Sequence, residues 1–188
     1  MLYLIGGAAR AGKSTVARRF LAETGVPFFC LDYLMMGVAS GLPESGVDPD
    51  DGDELRVAER LWPMVNPMAT AMLENGETYL LEGVQMLPQY AGELSERWPG
   101  QVRSCFLGYA EIELQVKLGQ LREFEGGTND WMSDFDDEQM CQSIEYFKTL
   151  SAFVRDECAR YNLLYIETAA DFPASVERAV AHLKYGAA

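Results

Sequence analysis

The sequence predicts a three-layer α/β fold, a five-stranded parallel sheet with helices on both faces. Three observations predict it. Short apolar runs alternate with helical segments from one end of the chain to the other, the pattern of crossover connections. The runs at 2–5, 78–81 and 163–166 are almost continuously apolar, as strands covered on both faces must be. A glycine-rich turn at 7–12 follows the first run and leads directly into a helical segment.

The elements follow in order. Strands are read near 2–6, 27–31, 78–83, 102–107 and 163–167, and helices near 13–24, 33–40, 53–75, 87–97, 111–124, 136–161 and 173–185. The long segment 53–75 contains Pro63 and Pro67, so a kink or break is expected there. Two stretches read as loops. One is 41–52, rich in Gly, Pro and Asp; the other is 125–134, where Gly126-Gly127 precede Thr128, Asn129 and Asp130. Loops of this kind, mounted on a rigid sheet, are where lids and substrate pockets sit.

A chain of 188 residues suits a single domain over 1–188, and at that length it can bury roughly 70% of its unfolded surface without disulfides. No run reaches the ~18 apolar residues of a membrane span, and no signal peptide is read at the start, so a cytoplasmic location without membrane association is expected. The four cysteines, Cys30, Cys105, Cys141 and Cys158, form no C-x-x-C pair and read as reduced thiols. A net charge of −14 speaks against a nucleic-acid partner, which calls for basic stripes. The acidic runs 48–54 and 134–138 read as solvated loops and helix starts. A monomer or homodimer is expected.

The stretch Gly7-Ala8-Ala9-Arg10-Ala11-Gly12-Lys13-Ser14 fits G-x-x-x-x-G-K-[ST] at every fixed position. Between a strand and a helix this is a phosphate-binding loop, the Walker A motif, and Thr15 completes its lining. Gly7 and Gly12 let the backbone curl and approach a ligand with no Cβ in the way. Successive N–H groups then form an anion nest at a helix N-terminus. Lys13 reaches the β- and γ-phosphates, and Ser14 offers its hydroxyl to Mg²⁺. Because the protein is acidic overall, these groups must make the site locally positive.

Ligands of an open parallel sheet collect beyond the carboxyl ends of its strands, and two acids stand there by sequence. Asp32 closes the run Phe28-Phe29-Cys30-Leu31, and Glu82 closes Thr78-Tyr79-Leu80-Leu81. Asp32 is the candidate general base for an attacking hydroxyl; the competing role is an N-cap for the helix starting at Tyr33. Glu82 has the setting of a Walker-B-like acid that holds Mg²⁺ directly or through water, or binds the acceptor. Cationic clamps on the transferred phosphoryl group are sought among Arg10, Arg18, Lys117, Arg122 and Arg155, with Arg122 placed to close a lid. His182 reads as a structural residue of the last helix. Met35, Met36, Met64, Met68, Met72 and Trp62 read mainly as packing, and Trp131 as part of the lid or of a local core. Leu34, Met35, Met36 and Val38 hint at an acceptor with an apolar part.

The stretch Gly6-Gly7-Ala8-Ala9-Arg10-Ala11-Gly12-Lys13-Ser14-Thr15 resembles the nucleotide loop of small P-loop kinases, a group that includes adenylate, shikimate and gluconate kinases and chloramphenicol phosphotransferase. Asp32 resembles the acid with which such hydroxyl kinases activate the acceptor. Leu81-Glu82-Gly83-Val84-Gln85-Met86-Leu87-Pro88 is similar to the E-G-V-H-x-x-P stretch of 2-phosphoglycerate-kinase-like proteins, with Gln85 where histidine is usual. Residues 166–171 resemble the final strand and loop that pass the adenine ring. The resemblance implies the P-loop NTPase fold with strand order 2-3-1-4-5 and a lid near 118–135.

These readings converge on an ATP-dependent phosphotransferase that uses Mg²⁺ and moves the γ-phosphate to a hydroxyl of a small-molecule metabolite. In it Lys13 neutralises charge, Ser14 holds the metal, Asp32 takes the proton and Arg122 closes over the phosphates. The alternatives are a nucleoside or nucleotide kinase, a switch-type NTPase, and a non-catalytic nucleotide-binding regulator. A guanine-specific switch is expected to carry N-K-x-D, and that tetrapeptide does not occur.

Overall fold

Strand β1 (Leu2–Gly7) occupies the middle of the sheet, where its near-continuous apolar sequence is covered from both sides. The structure, a computed structural model, describes residues 1–123 and 132–186. Around β1 lie β2 (Phe28–Cys30), β3 (Tyr79–Glu82), β4 (Val102–Gly108) and β5 (Leu164–Glu167), all parallel and in the order β2-β3-β1-β4-β5. The expected strand order is therefore present. The register sets Ile5 and Cys30 each opposite Glu82, and Gly7 opposite Leu107. The carboxyl ends of β1, β2 and β3 thus form one edge, and whatever follows them meets there.

The helices explain themselves from their ends and faces. Helix α1 (Lys13–Thr24) buries Val16, Ala17 and Phe20 at helical spacing and stops at Gly25, whose left-handed backbone lets its N–H reach the Leu21 carbonyl. Helix α2 (Leu31–Gly41) begins two residues earlier than the sequence predicts. Helix α3 (Glu54–Glu74) is capped by Asp53, whose carboxylate accepts from the amides of Leu55 and Arg56. The expected break at Pro63 and Pro67 does not occur: α3 runs unbroken through both. The two prolines lie four residues apart on the exposed stripe, so the hydrogen bonds they remove free the carbonyls of Glu59 and Pro63 where water can reach. Its other face, with Val57, Leu61, Val65, Ala69 and Leu73, stays in the core.

Helix α4 (Pro88–Arg97) opens on proline at a position that needs no N–H. Helix α5 (Leu114–Glu123) is followed by α6 (Asp137–Arg160), which starts with a capping box between Asp136 and Gln139. Helix α7 (Phe172–Tyr185) is capped by Asp171. The loop 41–52 holds one short 3-10 turn, Pro43–Ser45. Gly126, Gly127, Thr128, Asn129, Asp130 and Trp131, the centre of the expected lid, lie outside the described residues. All four cysteines are free. Among the described residues no helix is long and apolar enough to cross a membrane.

Two glycines give a sharp test of this packing. Gly7 has φ 114°, and a Cβ there would stand 1.9 Å from the Leu107 carbonyl oxygen; Gly25 has φ 74° with open space around it. Gly7→Ala is expected to cost about 3 kcal/mol or more, because backbone strain is joined by a clash with the neighbouring strand. Gly25→Ala should cost only about 1–2 kcal/mol, the left-handed penalty alone. Urea unfolding of the two variants measures the difference, and equal midpoints would contradict the packing at Gly7.

Candidate active site

The glycine-rich turn leaves the carboxyl end of β1 and closes on the first residue of α1. Its curl depends on two left-handed glycines, Gly7 and Gly12 (φ 98°), and on Arg10, a non-glycine residue at φ 58°. The glycines also have a packing reason. Their missing Cβ atoms clear the protein's own walls: Leu107 on β4 for Gly7, and the Phe172 ring at the start of α7, 2.5 Å from a Cβ on Gly12. The loop is thus set between β4 and α7. Ala8 spends its N–H on the Leu107 carbonyl, 3.0 Å. The amides of Gly12, Lys13, Ser14 and Thr15 have no acceptor among the described residues, so the mouth of the loop presents a row of donors at a helix N-terminus.

Lys13 folds back across this loop, its Nζ donating to the Ala8 carbonyl at 2.7 Å. Burial holds its pKa below the ordinary lysine range, against the pull of Glu82, Asp32 and Glu54. Ser14 Oγ donates to Glu82 Oε1 at 2.9 Å, and Glu82 is buried. A hydroxyl and a carboxylate side by side are an all-oxygen donor set, which fits Mg²⁺ bound partly through water.

Asp32 is an exposed residue in the first turn of α2, one residue inside the helix. It is neither the end of the strand nor an N-cap; Cys30 occupies the cap position, without a side-chain bond. The Asp32 carboxylate is gripped on both oxygens. Gln85 Nε2 donates to Oδ1 at 3.0 Å, and the Cys30 thiol donates to Oδ2 at 3.5 Å. Burial, Asp32 and Glu82 push the Cys30 thiol up to about 12, so it remains a donor. Gln85 Nε2 also approaches Met35 Sδ at 3.4 Å.

The structure therefore brings Lys13, Ser14, Glu82 and Asp32 to one edge of the sheet. It adds three residues that the sequence reading passed over. No sequence motif gives Cys30 or Gln85 a chemistry, and Glu54 falls within the acidic run 48–54. Arg56 and Arg60 take up Asp51, Arg56 also takes up Asp53, and Asp53 caps α3. Glu54, the first residue of α3, is left half-buried, near enough to Lys13 and Asp32 to feel both charges, and burial raises its pKa. The signal that could have found it is the Asp-Glu pair at a helix start, where the first acid caps and the second turns inward.

The basic candidates separate. Lys117 on α5 is buried against the loop: its Nζ donates to the Arg10 carbonyl at 3.0 Å and lies 4.1 Å over the Tyr109 ring. Arg122 is engaged by Asp137 at 2.7 Å and by the Phe135 carbonyl at 2.9 Å, on the α6 side of the expected lid. Arg155 pairs with Glu111 and Asp156, and Arg18 is exposed on α1. His182 Nε2 lies 3.1 Å from the Ser104 carbonyl oxygen, and burial lowers its pKa. Trp62 stacks on Tyr90 with centroids 4.1 Å apart.

Burial and the nearby Arg10 push Lys117 down to about 8, with Glu167 opposing. The unfolded chain, with an ordinary lysine, therefore binds more protons between about pH 8 and 10.5. Stability from this group must rise with pH across that window. The rise should be present in the wild type and missing from Lys117→Met when their urea-unfolding free energies are compared from pH 7 to 10.5. Parallel curves would remove the buried charge.

A parallel sheet in this order, with a glycine-rich loop after its central strand and Glu82 at the end of the neighbouring one, is the fold of the small P-loop kinases. The solved structures it is similar to include a gluconokinase from Sinorhizobium meliloti 1021, with TM-score 0.60 and 18% identity over 97% of this chain and 90% of that one. They also include a sugar kinase from Janibacter sp. HTCC2649 (TM-score 0.57, 20% identity, 97% and 94% covered). A shikimate kinase from Bacteroides thetaiotaomicron is a third (TM-score 0.53, 18% identity, 98% and 96% covered). No sequence-family model matches the chain, and no curated protein matches it by sequence.

Proposed function

We propose that this protein, acting as a single domain, transfers the γ-phosphoryl group of ATP to a hydroxyl of a small-molecule acceptor. One observation carries the reading. The donor row of the phosphate loop, the Lys13 ammonium, the Ser14–Glu82 pair and the doubly held Asp32 carboxylate all open on the same sheet edge.

In this reading the amides at the start of α1 hold the phosphate chain, and Lys13 moves from the Ala8 carbonyl to the β- and γ-phosphate oxygens. Ser14 and Glu82 hold Mg²⁺, which when bound neutralises charge on those oxygens. Asp32 accepts the proton of the acceptor hydroxyl as its oxygen bonds to the γ-phosphorus and the bond to the ADP oxygen breaks. Gln85 and Cys30 keep the carboxylate aimed, since each fixes one of its oxygens. Lys117 steadies the loop from α5 by holding the Arg10 carbonyl.

The fold likeness to gluconate, shikimate and sugar kinases supports the class of reaction and leaves the acceptor to the chain's own residues. The test is acceptor-dependent ADP release with Mg²⁺-ATP across panels of small alcohols, sugars and nucleosides. Turnover that tracks one acceptor supports the reading; slow hydrolysis indifferent to every acceptor contradicts it.

A further inference from the structure

Lys117 is an expensive side chain for the place it holds. It is 7% exposed, and its Nζ lies 4.1 Å over the ring of Tyr109. Tyr109 is itself buried and is tied to α6 through the bond from its amide to Ser151 Oγ at 3.1 Å. Among the described residues no carboxylate stands within ion-pair distance of the ammonium, and Glu167 acts on it only from further off. An apolar side chain would fill this space without the desolvation penalty of a charge. The ammonium goes instead to one backbone carbonyl, that of Arg10, at 3.0 Å.

That carbonyl belongs to a strained residue. Among the described residues two that are not glycine have positive φ, Arg10 at 58° and Asn162 at 53°. Asparagine tolerates that region, whereas arginine is disfavoured there by roughly 5- to 30-fold. The trans peptide that carries the Arg10 carbonyl also carries the Ala11 N–H, and the two point in opposite directions. With the carbonyl drawn towards α5, the Ala11 N–H is turned away from it. Ala11 is fully buried, and its N–H has no acceptor among the described residues. Buried amides without a partner are rare, and this one adjoins the open donor row at 12–15.

Resting on the proposed kinase reading, we infer that Lys117 is a positioning residue for the nucleotide: from α5 it holds the 10–11 peptide in its left-handed setting, so that the Ala11 N–H joins the donors to the phosphate chain. Lys117 itself touches no phosphate. Without it the Arg10 backbone relaxes to the right-handed or extended region, the peptide turns, and the Ala11 donor leaves the row. A direct clamp on the transferred group, the role sought for Lys117 in the sequence, would require its ammonium to abandon the Arg10 carbonyl.

A double-mutant cycle separates the two roles, with Mg²⁺-ATP affinity measured by calorimetry in the wild type, Lys117→Met, Arg10→Gly and the double variant. Methionine occupies the lysine's space without a donor, and glycine adopts positive φ freely. Lys117→Met should weaken binding roughly tenfold or more beside Arg10, the loss of one amide donor to a charged group. In the Arg10→Gly background the same change should weaken it about threefold or less, because the peptide no longer needs holding. Equal loss in both backgrounds overturns the inference, since a direct clamp or a general packing role is indifferent to the backbone freedom of residue 10. Unchanged affinity in Lys117→Met overturns it as well. The Ala11 amide gives a second readout that does not depend on Arg10→Gly. At saturating Mg²⁺-ATP its ¹⁵N–¹H resonance should move downfield in the wild type and stay in place in Lys117→Met; a like movement in both overturns the inference. Each of these outcomes leaves the kinase reading standing. Absence of binding heat in the wild type overturns that reading itself, and the inference with it.

Discussion

Lys13→Ala is expected to abolish phosphoryl transfer, lowering kcat roughly 10³-fold or more, while the protein remains folded. The size of the effect follows from the surroundings of the ammonium. It lies within a loop whose amides address the same phosphate chain, and three carboxylates, Glu82, Asp32 and Glu54, are close enough to shift its proton affinity. Without Lys13, charge accumulating on the γ-phosphoryl oxygens would face those carboxylates without its ammonium between them. The fold should persist because burial works against the charge, as its lowered pKa shows, and the loop's curl belongs to Gly7, Gly12 and their contacts with Leu107 and Phe172. Single-turnover kinetics beside a urea-unfolding curve measures both. Unchanged turnover would take Lys13 out of the mechanism, and loss of the folded state would make it a structural residue.

The second large effect belongs to Asp32. Asp32→Asn should lower kcat by roughly 10²–10⁴, about 3–5 kcal/mol of transition-state stabilisation, with little change in Mg²⁺-ATP affinity. The geometry makes this substitution clean. Gln85 donates to Oδ1, and an asparagine oxygen accepts the same bond, so the side chain keeps its aim while losing its basicity. The rate loss should fall on kcat, because the acceptor still binds. Gln85→Leu approaches the same carboxylate from behind and should give a smaller loss, since Asp32 keeps its basicity and the Cys30 contact. Full activity in Asp32→Asn would remove it as the base.

Strands buried on both faces leave a plain trace in sequence, and the continuous apolar runs of β1 and β3 were legible for that reason. The strand, glycine-rich turn and helix at 2–24 were legible because the motif they carry has fixed residues at fixed spacing. What the sequence concealed depended on contacts between distant segments. The prolines of α3 forecast a break, and only tertiary placement puts both on the solvent face. The glycines of the loop also avoid atoms of β4 and α7, some 100 and 160 residues away, and no local pattern shows those contacts. Asp32 was placed at a strand end because Leu31 prolongs the apolar run; α2 begins at Leu31, so the acid stands in the helix's first turn. Gln85 and Glu54 carry no motif. Their significance arises when the 83–87 turn and the start of α3 meet Asp32, and no local pattern announces that meeting.

Isothermal titration calorimetry of the wild-type protein with ATP in the presence of Mg²⁺ tests the central claim most directly, because every assigned role presupposes a nucleotide seated in the loop after β1. One site per chain is expected, with binding weakened when Ser14 is replaced by alanine and the Ser14–Glu82 pair is lost. The absence of any binding heat at protein and nucleotide concentrations well above the micromolar range, or binding indifferent to the loss of Ser14, would contradict the account.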